Sequence, residues 1–149
     1  MLRKKFARIL FIVLFAVSAF STAMPTQAQD SSATWGKKIY VVLGQQRLYA
    51  YYGSTLVKSM PVNARGTARG TFSVLDHYYI APSIYRGWKL PFWLGVYYVG
   101  RVENGIHGPE YLSNDRIAYN SLGCVVILNM ANARWLYNWA PNGTPVYIR

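Results

Sequence analysis

From Lys38 onward the sequence runs in short stretches rich in β-branched and aromatic residues, broken by Gly, Pro and Asn, and a single segment has helical spacing. Such a pattern restricts the chain to an architecture of many short strands. Residues 39–43 (IYVVL) and 47–52 (RLYAYY) flank the turn Gly44-Gln45-Gln46 and read as a hairpin. Residues 56–62 form a third strand, which Pro61 directs to a sheet edge because proline cannot donate to a ladder. A flexible loop (ARGTARG, 64–70) leads to a fourth strand over 71–79, and 95–99 and 102–106 read as further short strands. Asn129 is placed to cap a helix over 130–140, with Trp135 and Trp139 one turn apart. Pro141-Asn142-Gly143 ends that helix and 144–148 is a last strand. The expected class is mostly β, a sandwich or barrel-like pair of sheets with one helix near the C-terminus.

The first 36 residues fall outside that pattern. Arg3, Lys4, Lys5 and Arg8 precede an apolar run at 9–20 (ILFIVLFAVSAF), too short for the roughly 20 residues of a spanning helix. Thr26 and Ala28 then supply the small residues that signal peptidase favours. We therefore expect a signal peptide at 1–28, a short polar leader at 29–36 and one domain at 37–149; an uncleaved N-terminal anchor is the alternative. Export to the periplasm or cell wall follows. The formal charge of the whole chain is +11, and +7 without the four basic residues at its start. An exported basic protein meets anionic wall polymers and lipid head groups rather than nucleic acid, although a basic surface also serves solubility. A monomer is expected.

Export also bears on Cys124, the sole cysteine, which has no partner in the chain for a disulfide. With His77 and His107 the only histidines, a Cys/His zinc site is not supported. Cys124 closes the segment Ser121-Leu122-Gly123-Cys124-Val125-Val126, and Gly105-Ile106-His107-Gly108 lies across a polar stretch, 109–120. If the flanking strands pair, His107 meets the thiol and can take its proton, giving a nucleophilic thiolate reactive at neutral pH. Backbone N–H groups around Gly123 and Cys124 are placed for an oxyanion hole. The 109–120 stretch would form a mobile rim over the site. A buried structural thiol and a histidine satisfied at a strand end are the plainer readings of the same two residues.

These residues resemble the L,D-transpeptidase catalytic domain, also called YkuD-like. Its signature is a His, a loop, then Ser/Thr-His-Gly-Cys, an apolar residue and usually Arg or Asn. Here it reads His107-Gly108, loop, Ser121-Leu122-Gly123-Cys124-Val125-Val126. Residues 66–72 (GTARGTF) are similar to the family's Thr-Pro-Thr-Gly-x-Phe, and Leu90-Pro91-Phe92-Trp93 to its Met-Pro-Tyr-Trp. The segments 133–137 (ARWLY) and 143–146 (GTPV) resemble its closing helix and strand. The resemblance implies an L,D-transpeptidase-like β-sandwich or barrel that needs no cofactor or metal. It makes Cys124 the nucleophile and His107 the general base, oriented by the carbonyl of Gly108. The amides of Leu122, Gly123 and Cys124 would bind the oxyanion, and Ser121, Trp93 and Arg116 the substrate. It further implies cleavage of peptidoglycan stem peptides before D-Ala, a thioester intermediate, and transfer to an amine on a second stem. With water as acceptor the outcome is an L,D-carboxypeptidase.

Two positions depart from the signature: Leu122 replaces its second His, and Val126 its Arg or Asn. Both replacements are apolar, and apolar surroundings raise a thiol's pKa. Arg116 or Arg86 is available as a substitute charge. A weakened relative that binds the wall without chemistry is the rival reading from another class.

Overall fold

The computed structural model describes residues 35–84, 87–112 and 116–149; the expected signal peptide, most of the leader and Arg86 lie outside them. The first hairpin follows the period-2 pattern of its sequence. Ile39, Val41, Leu48 and Ala50 point into the core, fully buried, from β1 (Lys37–Val42) and β2 (Arg47–Tyr52). The turn between them is one 3-10 turn (Leu43–Gln45) followed by Gln46 in the left-handed region at φ 48°. Gln46 offsets that conformation with its side chain: Nε2 donates to the Leu43 carbonyl at 2.7 Å, and Oε1 accepts from the Ala64 N–H at 2.9 Å.

Around this hairpin the described strands form one continuous path that folds over a shared core. β11 (Pro145–Ile148) runs parallel to β1, and β4 (Gly70–Ser73) pairs with β11. On the other side β3 (Thr55–Asn63) pairs with β2 and, at its C-terminal end, with β10 (Val125–Ile127). β10 lies parallel to β7 (Val102–His107), which is antiparallel to β6 (Lys89–Val99). β6 also holds β5 (Asp76–Pro82) and β8 (Glu110–Tyr111), and β8 pairs with β9 (Ile117–Ala118). Leu94, Val96, Ile106, Val125 and Ile127 from the second half pack in one cluster with the hairpin residues, Val146 and Ile148.

Three local readings of the sequence are corrected. Pro61 is not at an edge, because β3 has neighbours on both sides. Its carbonyl accepts from Leu128, one residue past the end of β10, so its missing N–H falls where the ladder has already stopped. The run 71–79 is two strands, not one. Val74 is buried between them, donating to the Thr144 carbonyl, while Leu75 donates to Gly95, so the chain changes sheets there. A period-2 pattern does not record which partner a strand has. Finally, the polar stretch 109–120, read as a loop, contains the two short strands β8 and β9.

The helix α1 (Met130–Trp139) is capped by Asn129, whose Oδ1 accepts from the Asn132 N–H at 3.0 Å. Ala133 and Leu136 face the core. Trp135 and Trp139 stack at 5.3 Å, with Lys58 and Lys37 over their respective rings. The helix sits directly on Gly108, where a Cβ would come within 3.1 Å of Ala133 Cβ and Met130 Sδ. Among the described residues no helix is long and apolar enough to cross a membrane.

Candidate active site

The parallel pairing of β7 and β10 brings the two chemically distinctive residues together. Val125 stands opposite Ile106 and Val126 opposite His107. Ile106 and Val125 point into the main core, so strand alternation turns Gly105, His107 and Cys124 to the other face. There Ala81, Leu90 and Trp93 form a second small cluster, against which Cys124 packs. A cleft of about 500 Å³ opens on this face, and His107, Cys124, Trp93, Asn104, Glu103, Glu110, Leu122 and Arg101 are among its walls.

His107 is 1% exposed. Its Nδ1 lies 2.7 Å from the Gly108 carbonyl, which can only accept, so the proton of the neutral ring is on Nδ1. Nε2, left with its lone pair, is buried without a hydrogen-bond partner. The Trp93 ring lies nearly parallel to the imidazole at 5.9 Å. Burial lowers the His107 pKa to about 4, with the Gly108 contact partly opposing it. The ring is therefore a neutral, fixed base.

Cys124 is partly buried, and its Sγ lies 3.8 Å from Asn104 Oδ1. Burial pushes the thiol up to about 11; the Gly105 N–H bond works against this, and the Glu110 and Glu103 charges add to it. Both shifts favour a thiol and a neutral imidazole at rest. The upward direction was foreseen, but from apolar Leu122; the main cause is the burial of Cys124 itself.

The turn before Cys124 is held from below. Gly123 adopts φ 123°, and a Cβ there would collide with Asn104 Oδ1, so only glycine brings the two together. Tyr97 donates its hydroxyl to the Gly123 carbonyl at 2.6 Å and accepts from Ala68 N–H at 3.1 Å. Thr67 donates to the Cys124 carbonyl at 2.9 Å. Across a trans peptide the Cys124 N–H points opposite to the Gly123 carbonyl, hence away from Tyr97.

Of the residues expected to bind substrate, Trp93 is a buried wall of the cleft. Ser121 is not in the cleft lining: its Oγ lies 2.6 Å from the Cys124 carbonyl and beside that of Arg65, so it fastens the turn instead. Arg116 is exposed beside β9 and does not line the cleft. The arginine that does is Arg101, at the turn between β6 and β7, which sequence reading missed. His77 is elsewhere, with Nε2 2.6 Å from the Ala140 carbonyl.

Two of the chain's five acidic residues, Glu103 and Glu110, line this cleft, a feature also missed. Asp76 and Glu103 meet over Gly95, where a Cβ would collide with both carboxyls. Burial and then the Asp76 charge raise the Glu103 pKa. Glu110 is 6% exposed, and burial pushes it up to about 7. Among the described residues no group of three or more His, Cys, Asp or Glu is arranged to hold a metal ion.

The family of the L,D-transpeptidase catalytic domain matches residues 36–148. No curated protein matches the sequence. Among solved structures, an L,D-transpeptidase of Stackebrandtia nassauensis is 22% identical with a TM-score of 0.62, over 76% of this chain and 55% of its own. One from Xylanimonas cellulosilytica is 24% identical with a TM-score of 0.58, over 78% of this chain and 61% of its own. The L,D-transpeptidase LdtMt1 in complex with imipenem is 14% identical with a TM-score of 0.61, over 76% and 59%. At these identities the likeness is one of fold, and this chain spans little more than half the length of those structures.

Proposed function

The chain belongs to the L,D-transpeptidase catalytic domain family, and from that membership we propose that it is a cysteine-dependent acyltransferase of peptidoglycan stem peptides. One observation carries the reading: His107, with a proton-free and unpartnered Nε2, lines the same cleft as the only thiol. A buried polar atom without a partner calls for an explanation, and a base awaiting a proton supplies one.

In the proposed reaction the scissile carbonyl of a stem peptide enters beside Sγ. The thiol proton moves to His107 Nε2 as sulfur attacks the carbonyl carbon, so a free thiolate need not accumulate. The oxyanion is received by the backbone N–H groups of Leu122, Gly123 and Cys124. As the C–N bond breaks, His107 returns the proton to the departing D-Ala amine, leaving a thioester on Cys124. An amine of a second stem then attacks that carbonyl; the C–S bond breaks, and the proton released by nitrogen restores the thiol. Water in place of the amine gives hydrolysis.

Export by way of residues 1–28, contact with anionic wall polymers and a monomeric state belong to the same proposal. Incubating the protein with a tetrapeptide stem should release D-Ala, and Cys124→Ala should abolish release. Undiminished release by Cys124→Ala would refute the reading, and cross-linked against hydrolysed product separates transferase from carboxypeptidase.

A further inference from the structure

We propose that Glu110 and Glu103, on the wall of the cleft that holds Cys124, form a subsite for the primary ammonium group of a substrate. The inference rests on the acyltransferase reading for its biological setting but not for its geometry. Glu110 is more than nine-tenths buried, lines the cleft, and its Oε2 has no hydrogen-bond partner; Glu103 lines the same cleft, and its Oε1 is likewise buried and unpartnered. Arg101 shares the cleft, yet neither of these oxygens is bonded to it.

A buried carboxyl oxygen without a donor is costly to a fold. Glu103 has Trp93 and Tyr98 as side-chain partners for part of its carboxyl, whereas the open oxygen of Glu110 stands beside the apolar Ala81 and Leu90 on the cleft wall. In a chain of net charge +11 with five acidic residues, placing two of them here makes this cleft locally attractive to a cation. A primary ammonium has three donors, enough for the open Glu110 oxygen and a further acceptor, while the negative charge of Glu103 on the same wall adds to the attraction. Its position beside Cys124 has a further consequence. The charges of Glu110 and Glu103 oppose ionisation of the thiol, so an ammonium that neutralises them removes part of that opposition as substrate arrives. An acyltransferase of this kind meets such a group on the acceptor stem, and a donor stem carrying a diamino acid presents the same chemistry.

The test uses Nα-acetyl-lysine amide as probe, followed by NMR titration of the folded chain, with its Nε-acetylated form as the uncharged control. Saturable binding of the charged probe is expected, weakened about tenfold or more in Glu110→Gln and in Glu103→Gln, with no such difference for the control. Two variants are used so that misfolding of one does not decide the matter. No binding, or equal binding by wild type and both variants, overturns the proposal. With a stem-peptide donor and an amine acceptor, a lower ratio of transfer to hydrolysis in Glu110→Gln assigns the ammonium to the acceptor. Slower thioester formation at unchanged ratio assigns it to the donor. Probe binding without any thioester refutes the acyltransferase reading while leaving the subsite intact; a thioester without probe binding does the reverse.

Discussion

The imidazole of His107 lies against the indole of Trp93, ring centroids 5.9 Å apart and planes inclined by 19°. With Nδ1 held by the Gly108 carbonyl, this face-to-face contact sets where Nε2 points. Replacing Trp93 by Leu removes the stack, whereas Trp93→Phe keeps a ring there. A base displaced by about 1 Å can lose on the order of a hundredfold in rate. Thioester formation should therefore fall by about ten- to a hundredfold in Trp93→Leu relative to Trp93→Phe. Equal rates in the two variants would remove Trp93 from the positioning of His107.

The thiol itself is expected to be sluggish at rest. With Cys124 pushed up to about 11, alkylation by iodoacetamide at pH 7 should be slower than that of a free peptide thiol near pKa 8.5. It should rise about tenfold per pH unit until the thiol titrates. A plateau at neutral pH would mean that a thiolate–imidazolium pair already exists in the resting protein.

Two buried groups give the fold opposing pH dependences. The lowered pKa of His107, about 4 against 6.5, means that the unfolded chain binds a proton first as pH falls. Its contribution is present above about pH 6.5 and is lost on the way down to pH 4, by up to about 3 kcal/mol. Glu110 is raised to about 7, so its contribution is present below about pH 4.5 and is lost as pH rises to 7. The two largely offset each other between these limits. Glu110→Gln should be more stable than wild type at pH 8 and should expose the His107 term as a steeper loss of Tm on acidification. A parallel pH profile for variant and wild type would show that Glu110 does not titrate in this range.

Leu122 stands where the family signature has its second His. It is 62% exposed at the cleft rim, so an imidazole there keeps access to water. Leu122→His is expected to change stability by no more than about 0.5 kcal/mol. A hydrogen bond to a charged group contributes roughly 1.5–3 kcal/mol, and acylation is expected to be about tenfold faster. A slower and less stable variant would show that Leu122 packs as part of a rebuilt site.

Much of this was legible in the residues. The hairpin, the Asn129 cap and the closing strand follow from alternation, capping chemistry and turn residues close in sequence. That His107 and Cys124 line one cleft was suggested by order along the chain, since strands flanking a loop tend to meet. What stayed hidden depends on partners distant in sequence. Nothing around residue 74 says that β4 and β5 join different neighbours, and nothing near Pro61 says that β10 ends one residue short of it. The acidic wall was hidden for the same reason. A Glu in a strand normally signals a solvated face, yet Glu110 is buried and Glu103 half-buried, beside Asp76 of β5. Ser121 looked like a substrate contact until the backbone carbonyls of Arg65 and Cys124 were seen beside it.

The central claim, that Cys124 carries the acyl group and His107 takes its proton, is tested most directly by intact-mass spectrometry. The folded protein is mixed with a tetrapeptide stem and quenched in acid at successive times. Wild type should gain the mass of the stem minus D-Ala, mapped to the peptide containing Cys124. Cys124→Ala should gain nothing, and His107→Ala should gain it about a hundredfold or more slowly, the scale of a lost general base. A wild-type protein that stays at its own mass while D-Ala is released, or an adduct that forms as fast without His107, would contradict the account.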